Sequence, residues 1–208
     1  MHLPVLGLER SVGYDSLQGM TVHEVMDSPQ RVKLTVEDFL LLDRSGAFEA
    51  YAKAELIDGT IFVVNAQFSE HMKAKVRLLR RLADACDARS SGWEAWSEGS
   101  IAMPGGNLPQ PDIFITLETP TTGAVRIETV ALVVEIADTT ASFDLGAKAR
   151  LYAANGVAEY WVVDLQARQV RQFWAPDAQA YHEKRSIAFG DPIVAVTLSG
   201  LRADTADL

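Results

Sequence analysis

Four charged side chains are the most informative set in the sequence: Glu55, Asp112, Glu135 and Lys148. Three carboxylates meeting at strand ends can hold a hard cation such as Mg2+, with Mn2+ as a substitute, and leave positions for water and a phosphate oxygen. Such a cation polarises a phosphodiester, lowers the pKa of water and stabilises the charge that builds during attack. Lys148 can orient that water or stabilise the transition state. The spacings do not choose between one metal and two. Each residue also has an ordinary structural use. Glu55 can be a solvated or hairpin-pairing carboxylate, Asp112 a cap at a strand start, Glu135 a member of an ion pair, and Lys148 a surface lysine or the i,i+4 partner of Asp144. Glu135 is the hardest to place casually, because Val133, Val134 and Ile136 surround it and an unpaired carboxylate is costly to bury.

The elements that must position these residues can be read from the pattern. Thr129 to Asp164 reads as strand, helix and strand, the order of an α/β crossover. Its first strand, near Val130 to Ala137, is almost continuously apolar, which predicts burial on both faces. A helix follows from about Asp144 to Asn155, stopped by Asn155-Gly156, and Tyr160 to Val163 resumes strand character. Upstream, Thr35 has the features of an N-cap for a short helix ending near Gly46. Asp58-Gly59 predicts a tight hairpin joining strands that carry Glu55 on one side and Thr60 to Val64 on the other.

Ser69 to about Ala88 carries the clearest helical period, with Met72, Val76, Leu79, Leu82, Ala83 and Cys86 as the expected buried face. Lys73, Arg77, Arg80 and Arg81 form a solvated opposite face. His71 stands at the start of this helix as an accessory to the site or as a satisfied structural histidine. Tyr152, Tyr160 and Trp161 read as core or subunit contacts rather than stacking residues. Further strands are expected at Gln169 to Trp174, Tyr181 to Ile187 and Ile193 to Leu198. Residues 1–34 read as an irregular lead, 35–200 as one domain and 201–208 as a frayed tail.

Composition narrows the function class. The chain has 208 residues, 48% of them hydrophobic, which suits one globular domain. A formal net charge of -9 and a pI near 4.9 disfavour binding to nucleic acid by bulk electrostatics, though not through a local site. Cys86 is the only cysteine, so no intrachain disulfide or cysteine-rich zinc centre is expected. No secretory signal or membrane span is apparent, and the simplest expectation is a soluble cytoplasmic protein.

The pieces AELIDGTIFVV, SEH, QPDIFI, LVVEIADTT, FDLGAKARLY and NGVAEYWVVD, in this order, resemble the PD-(D/E)XK nuclease superfamily, especially its bacterial restriction-endonuclease-like group. The resemblance runs from about residue 35 to about 175. It implies a mixed central sheet flanked by helices, with antiparallel strands at its N- and C-terminal parts. Pro111-Asp112 matches the PD element and Glu135 the acidic member of (D/E)XK. The position two residues after Glu135 is Ala137 rather than lysine, and Lys148 matches a lysine that has moved to the next helix. Glu55 resembles an additional acidic residue of the site, and His71 a helix-opening histidine. The turn Ala137-Asp138-Thr139 replaces the Ser-Pro-like turn common in the group.

The implied function is Mg2+-dependent phosphodiester hydrolysis by a DNA endonuclease, with DNA as partner and a homodimer as a fitting assembly. Glu55, Asp112 and Glu135 bind the metal in this reading, and Lys148 helps place water. The alternatives are a noncatalytic nucleic-acid or protein-binding module that keeps the nuclease fold, and a transposon-associated DNA-processing component.

Overall fold

A computed structural model describes residues 31–65, 69–121 and 123–208. The chain divides between Val32 and Lys33, and Lys33–Leu208 is the unit considered below. The expected irregular lead falls almost entirely outside the described residues.

Helix α1 spans Val36–Arg44, and Thr35 caps it in a reciprocal box with Asp38: the Thr35 hydroxyl accepts the Asp38 N–H, and the Asp38 carboxylate accepts the Thr35 N–H. Strands β1 (Lys53–Ile57) and β2 (Thr60–Val64) form the hairpin, with Ile57 opposite Thr60. Asp58 and Gly59 both take positive φ, 50° and 68°, which a two-residue turn of this hand requires. Next come α2 (Ser69–Asp87), β3 (Glu94–Trp96), β4 (Ile101–Ala102), β5 (Ile113–Thr116), β6 (Val125–Arg126) and β7 (Val130–Ala137).

A short α3 (Ala141–Phe143), a π-helical turn (Asp144–Lys148) and α4 (Ala149–Ala154) then cross over to β8 (Glu159–Asp164). Strands β9 (Gln169–Pro176), β10 (Tyr181–Ala188), β11 (Ile193–Val194) and β12 (Arg202–Ala203) complete the chain.

The central sheet has six strands in the order β10-β9-β8-β7-β5-β3. β7 and β8 are parallel and every other pair in it is antiparallel, so the sheet is mixed, as the sequence implies. Period-two alternation splits β7 between two cores. Leu132, Val134 and Ile136 pack with Leu78, Leu82 and Cys86 of α2 on one side. Val133 and Ala137 pack with Ala149 and Tyr152 of the crossover on the other. Glu135 shares this second face.

Three features depart from the sequence reading. On α2 the buried residues are His71, Ala74, Lys75, Leu78, Leu82 and Cys86, while Met72 and Val76 are 54% and 40% exposed. The buried stripe is rotated because His71 and Lys75 each have a carboxylate to meet, Asp112 and Glu98, which offsets the cost of burying them. Second, the opposite face is not wholly solvated. Arg81 donates to the Asp204 carbonyl at 2.7 Å, and Arg77 donates to the Asp207 carbonyl.

Third, the last residues are therefore not frayed. β12 pairs with β11, and the fully buried Thr205 hydroxyl accepts from Gly190 N–H at 3.0 Å and donates to the Asp191 carbonyl at 2.6 Å. The expected core placement of Tyr152, Tyr160 and Trp161 does hold, and all three are fully buried.

Candidate active site

Sheet register brings the first two acids together. Ile113 of β5 lies opposite Val134 of antiparallel β7, so one step back places Asp112 beside Glu135. The Ile136 N–H donates to Asp112 Oδ2 at 2.8 Å, tying the strand entry to the acidic strand. His71 Nε2, at the first turn of α2, lies 3.1 Å from the same oxygen.

The hairpin supplies the next pair. Leu56 exchanges backbone hydrogen bonds with Leu108, which docks β1 against the loop leading to Asp112. Within that docking, Gln110 N–H donates to Glu55 Oε1 at 2.7 Å and Lys53 Nζ donates to the Gln110 carbonyl at 2.8 Å. The Lys53 ammonium sits 3.9 Å from both Glu55 Oε2 and Asp112 Oδ1.

Lys148 enters from the crossover helix. Its ammonium donates to Glu135 Oε1 at 2.9 Å and to Glu55 Oε1 at 3.0 Å, and stands 4.0 Å from Asp144 Oδ1. Tyr152, one turn on, donates its hydroxyl to Glu135 Oε1 at 2.9 Å. The π-helical turn spans Asp144 to Lys148, the two residues it presents to the site, and such turns concentrate at functional positions. Thr140 donates to Asp144 Oδ2 at 2.6 Å and secures the start of that turn.

The charged groups, His71 and Thr140 border one cavity of about 510 Å3, whose remaining wall includes Phe62, Val63, Val64 and Phe143. Glu55, Asp112, Glu135 and Lys148 are each between 1% and 3% exposed. The carboxylates therefore act on one another in a low dielectric. Burial pushes Glu135 up to about 8, against the pull of Lys148 and Lys53 and with the push of Asp112 and Asp144. Burial also raises Asp144.

Burial acts on Asp112 in the same upward direction, but the hydrogen bond from His71 and the charge of Lys53 outweigh it and hold Asp112 at about 2. Burial would lower Lys148, yet Glu135, Glu55 and Asp144 overwhelm that effect and keep its amine protonated. Two neighbouring carboxylates thus have their pKa values driven apart, one ionised and one proton-accepting near neutrality, beside a permanent cation. That arrangement is characteristic of acid-base sites.

The family model described as "Uma2: Putative restriction endonuclease" matches residues 36–206. The chain belongs to this Uma2 family. A crystal structure of a "putative nuclease belonging to DUF820" from Anabaena variabilis ATCC 29413 is similar, with a TM-score of 0.65 at 15% identity. The likeness covers 84% of the present chain and 96% of the Anabaena one, and at that identity it speaks for the fold. No curated protein sequence matches.

In this Uma2 chain the four residues singled out from the sequence come together, and His71 joins them through Asp112. Two contributors escape sequence reading. Lys53 lies two positions before Glu55, a spacing that puts both on one face of a strand, and this is the signal that finds it. Tyr152 looks like any core aromatic, and its hydroxyl partner is visible only in three dimensions. Among the described residues, no group of three or more His, Cys, Asp or Glu side chains is arranged to hold a metal ion. Glu55, expected as a third ligand, is instead engaged by Lys148 and the Gln110 N–H. Asp112 Oδ1 is buried with no hydrogen-bond partner among the described residues.

Proposed function

We propose that this protein hydrolyses phosphodiester bonds with the help of a divalent cation, as a DNA endonuclease. The observation that carries the reading is the buried set Asp112, Glu135 and Lys148 at one cavity, with Asp112 Oδ1 lacking a hydrogen-bond partner among the described residues. Mg2+ commonly takes only one or two carboxylates and completes its shell with water and phosphate oxygens. Asp112 and Glu135 fit that mode, both being hard oxygen donors, one at the entry to β5 and one on the adjacent β7. Glu55 then serves chiefly to hold Lys148. A cation held by these two acids would supply positive charge to the phosphate and make water more acidic.

The chain's own residues account for the rest. His71, Lys53 and the Ile136 N–H keep Asp112 ionised and oriented. Lys148 stays protonated, so its part is to donate hydrogen bonds and stabilise negative charge rather than to remove a proton. Glu135 joins Asp112 in holding the cation, and its hydrogen bonds from Lys148 and Tyr152 fix how that carboxylate is presented. The reach of Lys148 to Glu135 supports this over a noncatalytic module, because that amine stands where Ala137 leaves the simplest motif without one.

Purified protein should cut DNA with Mg2+ or Mn2+ and not in EDTA. Asp112→Ala and Glu135→Ala should each lower the rate by at least about a hundredfold, the scale of losing a buried charge-stabilising group. Unchanged rates in folded variants would leave the noncatalytic module as the reading.

A further inference from the structure

The cavity carries a second kind of information in its apolar wall. Phe62 lies directly opposite Glu55 across the β1-β2 hairpin, so ring and carboxylate share a face. The ring is 36% exposed, and its centroid lies 4.8 Å from that of Phe143 at a tilt of 39°. The Phe143 centroid is in turn 5.9 Å from the Lys148 amine. One aromatic ring therefore lies within a side chain's length of the cation that would meet a phosphate, and a second packs against that ring.

A phosphate drawn to Lys148 brings its own nucleoside to that wall. About 510 Å3 is the size of a pocket for a small molecule or a single nucleotide. In a duplex both faces of each base are covered by stacking, so only an unpaired base can offer one to a ring. The acidic groups lie at the bottom of the cavity, almost without exposure, where an extruded or single-stranded nucleotide can follow more easily than an intact helix.

We infer that the cavity takes an unpaired nucleotide of a DNA strand, with its base packed against Phe62 and Phe143 and its phosphate at Lys148. The inference rests on the phosphodiester reading above for what happens to the strand, but the base contact has its own readout. Binding is followed by fluorescence anisotropy with Ca2+ in place of Mg2+, to slow cutting. The probes are a short labelled single strand, the same strand annealed to its complement, and an abasic sugar-phosphate strand of equal length. The variants are Phe62→Leu and the double variant Phe62→Leu/Phe143→Leu. Leucine keeps an apolar packing contact between hairpin and helix, and circular dichroism checks the fold.

The single strand should bind about tenfold more tightly than the duplex or the abasic strand, a gain in the range of one base-aromatic contact. Both variants should bring it down towards the abasic level. Equal binding of duplex and single strand, variants that bind the single strand as wild type does, or no binding of the single strand at all would each overturn the inference. Preference for the single strand without Mg2+-dependent cutting would sustain the base site and remove the hydrolytic reading. Cutting that ignores both base pairing and the two rings would do the reverse.

Discussion

Glu135 and Glu159 are buried carboxylates on neighbouring central strands, and the protein treats them in opposite ways. Glu159 is saturated by neutral donors. Its Oε1 accepts from Trp161 Nε1 at 2.6 Å and Gln172 Nε2 at 2.5 Å, and its Oε2 accepts from Val196 N–H, Thr197 N–H and the Thr197 hydroxyl at 2.8 to 2.9 Å. Those donors gather β8, β9 and the segment after β11 around one anion. Glu135 instead accepts from an ammonium and a phenol, stands among other carboxylates and borders a cavity. A fully solvated-by-protein anion stabilises structure, whereas one crowded by like charges keeps a proton within reach of neutral pH.

The largest contrast is between Glu159→Ala and Asp112→Asn. Removing the Glu159 carboxylate leaves five donors, two of them on the fully buried Trp161 and Gln172, without that acceptor and should cost about 3–5 kcal/mol in urea unfolding. Asp112→Asn keeps an acceptor oxygen for the Ile136 N–H and should cost about 1 kcal/mol while abolishing cutting. If instead Glu159→Ala spared stability, its network would have to be reassigned.

Lys148→Met comes next. It should slow cutting by about a hundredfold and destabilise the fold. The destabilisation should be greater at alkaline than at acidic pH, since protonated carboxylates no longer need the ammonium. A loss of stability independent of pH would separate Lys148 from the acids.

Glu135→Gln sharpens the same point. Burial moves the Glu135 carboxyl from 4.5 up to about 8, so the folded protein holds a proton that the unfolded chain releases. On this account wild-type stability falls as pH rises through that window, and the fall is complete only above the folded value. Glutamine stays neutral, so thermal melts should show the variant gaining on wild type from about pH 5 to about 8. A constant difference would mean that Glu135 is ionised throughout.

The smallest effect belongs to Thr197→Val, which removes one of the Glu159 donors. It should cost about 1 kcal/mol and leave cutting unaltered, as measured by urea unfolding and a cleavage assay.

Much of the architecture is legible in the chain. Thr35 and Asp38 announce a capped helix, Asp58-Gly59 a hairpin, and the almost continuous apolar run of β7 a strand buried on both faces. Residue order and the family resemblance also point to Glu55, Asp112, Glu135 and Lys148, and Glu135 stands out by itself because an acid amid valines and isoleucines needs a reason. Hydrophobic periodicity misjudges α2, since it puts Met72 and Val76 on the buried face and leaves His71 and Lys75 out of it. The tail is misjudged for a similar reason: short polar stretches look loose until Arg77, Arg81 and Thr205 are seen to anchor them.

The sequence by itself determined the local elements, through capping, turn chemistry and the periods of apolar residues, all of which act over a few positions. Only the tertiary structure decided that Lys148 stands between Glu135 and Glu55, that Lys53 lies between Glu55 and Asp112, and that Tyr152 turns its hydroxyl to the acidic strand. The physical reason is range: desolvation and charge coupling depend on which distant segments share a low-dielectric space, and that follows from sheet register and helix rotation together rather than from any one stretch of chain.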